Sequence, residues 1–156
     1  MISFEEITNK NIWKVCALEP FEEQKDFVAE NIQSLAEAYA TRNEGNNALP
    51  LAVYNDDDLI GFIMIGKGTV GNPDESDLIK ENYCFWRFMI DKKLQGKGYG
   101  SAALQEIIKY FKDHGANNIR LSTKESNVNA LSMYRKAGFC DTREMNDEEI
   151  VLKLDL

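Results

Sequence analysis

Seven residues, Gln95-Gly96-Lys97-Gly98-Tyr99-Gly100-Ser101, constrain this chain more than any others. They join the aromatic run Tyr83–Ile90 to a stripe in which Leu104, Ile107, Ile108 and Phe111 share one face. The run has the aromatic content of a strand. The stripe keeps the period of a helix over Ser101–His114, and Gly115 supplies the residue that ends it. Ile119-Arg120-Leu121-Ser122-Thr123 then reads as a second strand. Strand, glycine turn, helix and strand make a parallel crossover, which is right-handed almost without exception.

The rest of the chain arranges itself around that unit. Ile2, Phe4 and Ile7 mark a first strand, and Thr8 can cap a helix carrying Ile12, Val15, Cys16 and Leu18. Pro20 fits the first turn of a second helix running towards Tyr39, with Val28, Ile32, Leu35, Ala36 and Tyr39 as its buried face. Leu51–Tyr54 and Leu59–Ile65 read as strands across the turn formers Asn55 to Asp58, and Gly66 to Asn82 is a polar connection. A helix from Asn127 to Ala137 stops at Gly138. Phe139–Arg143 and Ile150–Leu154 close the chain as a hairpin across Asn146-Asp147. The order β-α-α-β-β-β-α-β-α-β-β predicts a mixed α/β (α+β) fold, a seven-stranded sheet flanked by four helices. A chain of 156 residues fits one domain, residues 1–156, able to bury a core without metal or disulfide staples.

Glycines let backbone N–H groups approach a ligand that side chains would block. At a helix N-terminus those groups lack intrahelical partners and sit at the positive end of the dipole, an arrangement suited to phosphate. A tight connection is the plainer reading of the same loop. Arg87, Lys92, Lys93 and Lys97 gather beside it against one acid, Asp91, in a chain of net charge −8. The loop lacks the spacing of a Walker sequence. As a dinucleotide fingerprint it has Ser101 in place of the third glycine, and no acid follows near residues 118–121.

The same charge of −8 excludes a general nucleic-acid footprint. The longest apolar stretch, Leu59 to Ile65, is too short for a bilayer, and the acidic N-terminus lacks the character of a secretory signal. The expectation is a soluble, cytoplasmic protein with no nucleic-acid or membrane partner. Cys16, Cys84 and Cys140 show no C-x-x-C spacing, and Cys84 in its apolar run reads as a buried, inert thiol. His114, the single histidine, sits at a helix end where a cation suits the dipole, so no metal site is expected.

Two segments together carry a resemblance. Gln95-x-x-Gly98-x-Gly100, after a strand ending Arg87-Phe88-Met89-Ile90-Asp91, resembles the acyl-CoA-binding motif of the GNAT N-acetyltransferase superfamily. Downstream, Asn127-Val128-Asn129-Ala130-Leu131-Ser132-Met133-Tyr134-Arg135-Lys136-Ala137-Gly138-Phe139 is similar to its second motif, N-x-x-A-x-x-x-Y-x-x-x-G-F. The resemblance spans residues 50–156 and, within the superfamily, is greatest to bacterial spermine/spermidine (polyamine) acetyltransferases. It implies a mostly antiparallel sheet whose parallel pair splays to bind acyl-CoA, with acetyl-CoA as cosubstrate. It also implies that backbone groups of Phe88, Met89 and Ile90 meet the pantetheine arm and the thioester. Amides of Gln95, Gly96, Lys97, Gly98, Tyr99, Gly100 and Ser101 would hold the pyrophosphate. Asn127 matches a cofactor-contacting Asn and reads equally as a helix N-cap. Tyr134 matches the catalytic phenol, placed to stabilise or protonate the departing thiolate. Without the family, a Tyr on an apolar helix face is a packing residue.

The base and the acceptor are less defined. An aliphatic ammonium has a pKa of about 10.4, so little of it is neutral near pH 7. Many family members place a Glu on the strand before the glycine loop, and Tyr83–Ile90 contains no carboxylate. Glu81 precedes that strand and Asp91, equally a turn former, follows it; the base stays unassigned. Two acidic clusters offer a polycation site: Glu19, Glu22, Glu23, Asp26 and Glu30, and Asp74, Glu75, Asp77 and Glu81. Each also reads as solvated surface. Glu22, Glu23, Asp26 and Trp86 are the candidates for binding the acceptor. Period two puts Trp86 and Phe88 on one face and Phe85 on the other. The resulting expectation is direct acetyl transfer from acetyl-CoA to a primary amine, a polyamine such as spermine or spermidine, with a homodimer left open. The alternatives are transfer to a protein N-terminus, an amino acid or an aminoglycoside, and a catalytically silent acyl-CoA-binding module.

Overall fold

Antiparallel pairs build both ends of the sheet, and one parallel crossover joins them in the middle. The computed structural model describes residues 1–67 and 82–156. Its strands are β1 (Ile2–Glu6), β2 (Leu49–Asn55), β3 (Asp58–Lys67), β4 (Tyr83–Ile90), β5 (Asn118–Lys124), β6 (Cys140–Asn146) and β7 (Glu149–Asp155). They lie in the order β1-β2-β3-β4-β5-β7-β6, and β4 with β5 is the parallel pair. The helices are α1 (Ile12–Cys16), α2 (Asn31–Asn43), α3 (Tyr99–Asp113) and α4 (Val128–Lys136). No helix among the described residues is long and apolar enough to cross a membrane.

β3 runs through the centre, and its residues from Ile60 to Ile65 are all buried because helices cover both faces. Phe62 and Met64 pack with Val15 of α1 and Ala38 of α2. Ile63 and Ile65 pack with Leu104, Ile107 and Phe111 of α3. Each such fully buried large side chain contributes about 1.5–3 kcal/mol, so the α3 stripe alone anchors the crossover helix. Gly115, at φ 80°, ends α3 while its N–H and that of Ala116 bond Lys112 O and Phe111 O. Cys84 is buried, as its apolar surroundings suggested.

The segment read as one helix from Pro20 towards Tyr39 is broken. Glu22–Gln24 is a short 3-10 turn, and α2 begins only at Asn31. Side chains make the break: Gln24 Oε1 accepts the Phe21 N–H, and Asn31 Nδ2 donates to Val15 O. The buried face of α2 is also rotated. Asn31, Ser34 and Ala38 point inward, whereas Ile32, Ala36 and Tyr39 are exposed. Arg87 of β4 is the cause, donating to Ser34 Oγ at 3.2 Å and Glu37 Oε2 at 2.9 Å. A half-buried charge turns the polar side of the helix towards the sheet, against its apolar periodicity.

β4 departs from strict alternation. Met64 pairs with Arg87 and Ile65 with Phe85, which leaves Trp86 as an extra residue, a β-bulge. Period two therefore misplaces the aromatic residues. Phe85 and Phe88 meet on one face with ring centroids 6.0 Å apart, and Trp86 packs with the α1–α2 cluster on the other. Gly66 makes room for it: a Cβ there would lie 2.9 Å from the indole ring.

Candidate active site

The parallel pair holds together for only two residues, Tyr83 with Ile119 and Cys84 with Arg120. Past that point β4 and β5 diverge, so the β5-facing edge of β4 has no strand partner among the described residues. A cleft of about 390 Å³ opens there. Of the residues singled out from sequence, Trp86, Phe88, Met89, Ile90, Gln95, Gly96, Gly98, Gly100, Ser101, Asn127 and Tyr134 line this one cleft. Lys97 is exposed beside it, and Tyr99 starts α3 and packs against the core. Glu22, Glu23 and Asp26 are exposed on the arm before α2, whose Pro20, Gln24, Phe27 and Val28 face the cleft instead. The second acidic cluster, Asp74, Glu75, Asp77 and Glu81, lies outside the described residues.

At one end of the cleft, the glycine loop presents bare backbone. Gly96 and Gly98 hold φ of 76° and 83°, the left-handed region that glycine enters at little cost. A Cβ at either position would meet no protein atom within 4 Å, so open space lies over the loop. Gly98 is the N-cap of α3, which directs the first-turn N–H groups and the positive dipole end towards that space. Gln95 ties the loop down. Its Nε2 donates to Ile90 O at 2.9 Å and to Gln24 Oε1 at 2.8 Å, while Gln24 Nε2 donates back to Gln95 Oε1 at 3.0 Å. This reciprocal amide pair fastens the arm before α2 to the loop. Gln24 carried no sequence signal beyond its turn-forming spacing from Phe21.

The cations around the loop are not equivalent. Arg87 is engaged by Glu37, and Lys92 by Glu19 at 2.8 Å. Lys93 and Lys97 remain as the exposed positive charges next to the loop. Asp91 is buried and serves the turn: Oδ1 accepts the Lys93 N–H at 2.9 Å, and Oδ2 accepts the Glu19 N–H at 3.2 Å.

α4 forms part of the opposite wall. Asn127 is its N-cap by position, but the side chain makes no capping bond and Nδ2 donates to Thr123 Oγ1 at 3.3 Å. Tyr134 is buried, with its ring centroid 5.9 Å from those of Phe85 and Phe139. Gly138, at φ 100°, closes α4 while the Phe139 N–H bonds Tyr134 O and the Gly138 N–H bonds Arg135 O. The spacing from Tyr to Gly-Phe thus has a local mechanical reason: the cap fixes the turn that carries the phenol. Burial pushes the Tyr134 pKa well above its ordinary value, and the negative charge of Glu149 pushes it further. The hydroxyl stays protonated and can donate to an anion.

Glu149 belongs to no motif in the sequence. It starts β7, and its Oε2 accepts the hydroxyl of Ser122, a cleft-lining residue of β5. The two are 27 residues apart and meet only through the β5–β7 ladder, where Lys124 pairs with Glu149 and Ser122 with Val151. No local pattern announces such a pair.

A sequence model of the acetyltransferase (GNAT) family matches residues 10–139. Among curated proteins, a probable spermine N(1)-acetyltransferase from Bacillus subtilis subsp. natto is 34% identical over 109 residues, covering 67% of this chain and 68% of the relative. The spermine/spermidine N(1)-acetyltransferase of Bacillus subtilis strain 168 is 33% identical over the same shares. Among solved structures, spermidine N-acetyltransferase from Vibrio cholerae, in complex with CoA and spermine, superposes with a TM-score of 0.70 at 17% identity. The match covers 97% of this chain and 92% of that one, a likeness of fold.

Proposed function

This chain belongs to the acetyltransferase (GNAT) family, and from that premise we propose that it transfers the acetyl group of acetyl-CoA directly to a primary amine, with a polyamine such as spermine or spermidine as acceptor. The observation that carries the proposal is the cleft between β4 and β5, with open glycine backbone at one end and a protonated, buried phenol in its wall. Those residues fit the cosubstrate. The N–H groups from Gly96 to Ser101 suit a pyrophosphate, and the edge of β4 at Phe88, Met89 and Ile90, which has no strand partner among the described residues, suits the amide groups of a pantetheine arm. Bound acetyl-CoA supplies an acyl group already activated as a thioester.

The chain's own residues do the rest. The apolar walls at Phe85, Phe88 and Met133 exclude water, which strengthens each hydrogen bond made inside. Tyr134 holds its proton on Oη and donates it, wholly or as a hydrogen bond, to the departing sulfur. Trp86 and Phe27 shape the acceptor side, and the acids on the arm, Glu22, Glu23 and Asp26, attract a cation to its rim. The polyamine acceptor is supported by the names of the two relatives and by the net charge of −8. Thiol release with acetyl-CoA and a panel of amines tests the reading. Spermine and spermidine should lead the panel. Tight CoA binding with no turnover on any amine would leave an acyl-CoA-binding module, and a preference for amino acids, protein N-termini or aminoglycosides would replace the acceptor alone.

A further inference from the structure

The walls of the cleft contain no formal charge: among the described residues lining it, none is Asp, Glu, His, Lys or Arg. An amine acceptor reaches it largely as an ammonium and must lose a proton before its nitrogen can attack. β4 offers no carboxylate, and both oxygens of Asp91 are engaged by backbone N–H groups. Ser122 differs from the other wall residues because a carboxylate stands directly behind it. Its Oγ donates to Glu149 Oε2 at 2.5 Å, and Asn146 Nδ2 lies 3.5 Å from the same Oγ. The β5–β7 register makes Ser122 and Glu149 diagonal neighbours on one face of the sheet. Glu149 is half-buried, with Tyr134 within reach of its charge.

We propose, on the acetyl-transfer reading above, that Ser122 and Glu149 form the proton relay that deprotonates the acceptor ammonium. The ammonium N–H bond breaks and its proton passes to Ser122 Oγ, while the Ser122 O–H proton passes to Glu149 Oε2. The freed lone pair attacks the thioester carbonyl, and the carbon–sulfur bond breaks with its electron pair on sulfur. Of the two protons the nitrogen sheds overall, one leaves through Glu149 to solvent and the other ends on the thiol. Ser122 is the group that touches the amine; Glu149 acts through it. The negative charge of Glu149 also holds the Tyr134 phenol in its donor form, so the two ends of the reaction support each other. The titratable and charged groups around Glu149 are Lys124 opposite it on β5, Tyr134 on α4, the Arg120–Glu144 pair between β5 and β6, and Asp147 and Glu148 in the β6–β7 turn.

The test measures kcat/KM for a primary amine from about pH 7 to about pH 9.5 in wild type, Glu149→Gln and Ser122→Ala, with CoA affinity by calorimetry on each. Both variants should bind CoA as wild type does and lose about 10²-fold or more at neutral pH. Their deficit should shrink about tenfold per pH unit towards the acceptor pKa of about 10.4, because free amine needs no base. A loss from mere disturbance of the fold would not shrink that way. Activity within about threefold of wild type at pH 7 in either folded variant, or a deficit constant across the range, overturns the relay. Should Glu149→Gln fail to fold, Ser122→Ala decides alone, since it leaves the charge in place. A wild-type chain that acetylates no amine overturns the relay together with the acetyl-transfer reading. An active wild type with variants of unchanged activity overturns the relay alone.

Discussion

Tyr134 is held by the cap that follows it as much as by the rings around it. The Phe139 N–H on Tyr134 O fixes the last turn of α4, and Phe85 and Phe139 fix the ring. Among the described residues the hydroxyl has no hydrogen-bond partner, so it adds little to the fold and is available to a ligand. Tyr134→Phe should therefore fold with an unchanged or slightly higher melting temperature and bind CoA normally. Its turnover with a good amine should fall by about 10²–10⁴-fold, the usual contribution of a positioned acid. Calorimetry and thiol release check both halves; a change under about threefold with chemistry rate-limiting would reduce Tyr134 to a packing residue. The pH dependence of stability has a definite sign. The folded protein keeps a proton that the unfolded chain begins to lose near the ordinary tyrosine pKa of 10.0. Stability from this group is full below that pH and declines as pH rises above it, so the Phe variant should lose stability less steeply in alkaline melts.

The glycine loop and the helix it starts work as one element. At Gly98 the backbone is left-handed and a side chain would project into open space over the cleft. Gly45, at φ 83° and equally unobstructed, has the same backbone requirement just past the end of α2, away from the cleft. Gly45→Val and Gly98→Val should each cost at least the ~1–2 kcal/mol of a left-handed L-residue, and so lower the melting temperature by comparable amounts. Only Gly98→Val should lose CoA binding in a titration. Equal binding by the two variants would show that the loop is no more than a tight connection. The crossover from β4 through α3 was legible because its signals are local: the helical period, the terminal Gly115 and the glycines between strand and helix all lie within a few residues of what they determine. The Tyr-to-Gly-Phe spacing on α4 was legible for the same reason. The rotation of α2 was not, because Arg87 on a distant strand sets it, and the bulge at Trp86 depends on the register with Met64. Glu149 stayed hidden until β5 and β7 were paired.

At the scale of the whole molecule, a net charge of −8 surrounds a cleft whose described walls carry no charge. That contrast bears on which amine can be held. An ammonium that enters walls without a charged group loses hydration and gains no ion pair there, so the nitrogen best placed inside is the one that gives up its proton. On the polyamine reading, a second ammonium on the same substrate would stay outside, towards the arm on which Glu22, Glu23 and Asp26 are exposed. One exposed carboxylate contributes little, and Glu22 is already engaged by Lys25 at 2.7 Å. Selectivity must therefore come from several acids acting together through the field, and such an effect is screened beyond about 8 Å at physiological salt. Spermine and spermidine should exceed a monoamine of similar pKa in kcat/KM at low ionic strength, and the ratio should fall as salt is raised while the monoamine rate barely moves. Changing Glu22, Glu23 and Asp26 together to Gln, Gln and Asn should raise KM for spermine more than it lowers kcat, because the interaction lost is made equally before and during the reaction. Steady-state kinetics across a salt series measures all of this on one preparation. Equal kcat/KM for spermine and the monoamine at low salt would remove the polyamine as preferred acceptor, while the cleft, its phenol and the family's chemistry would stand as they are.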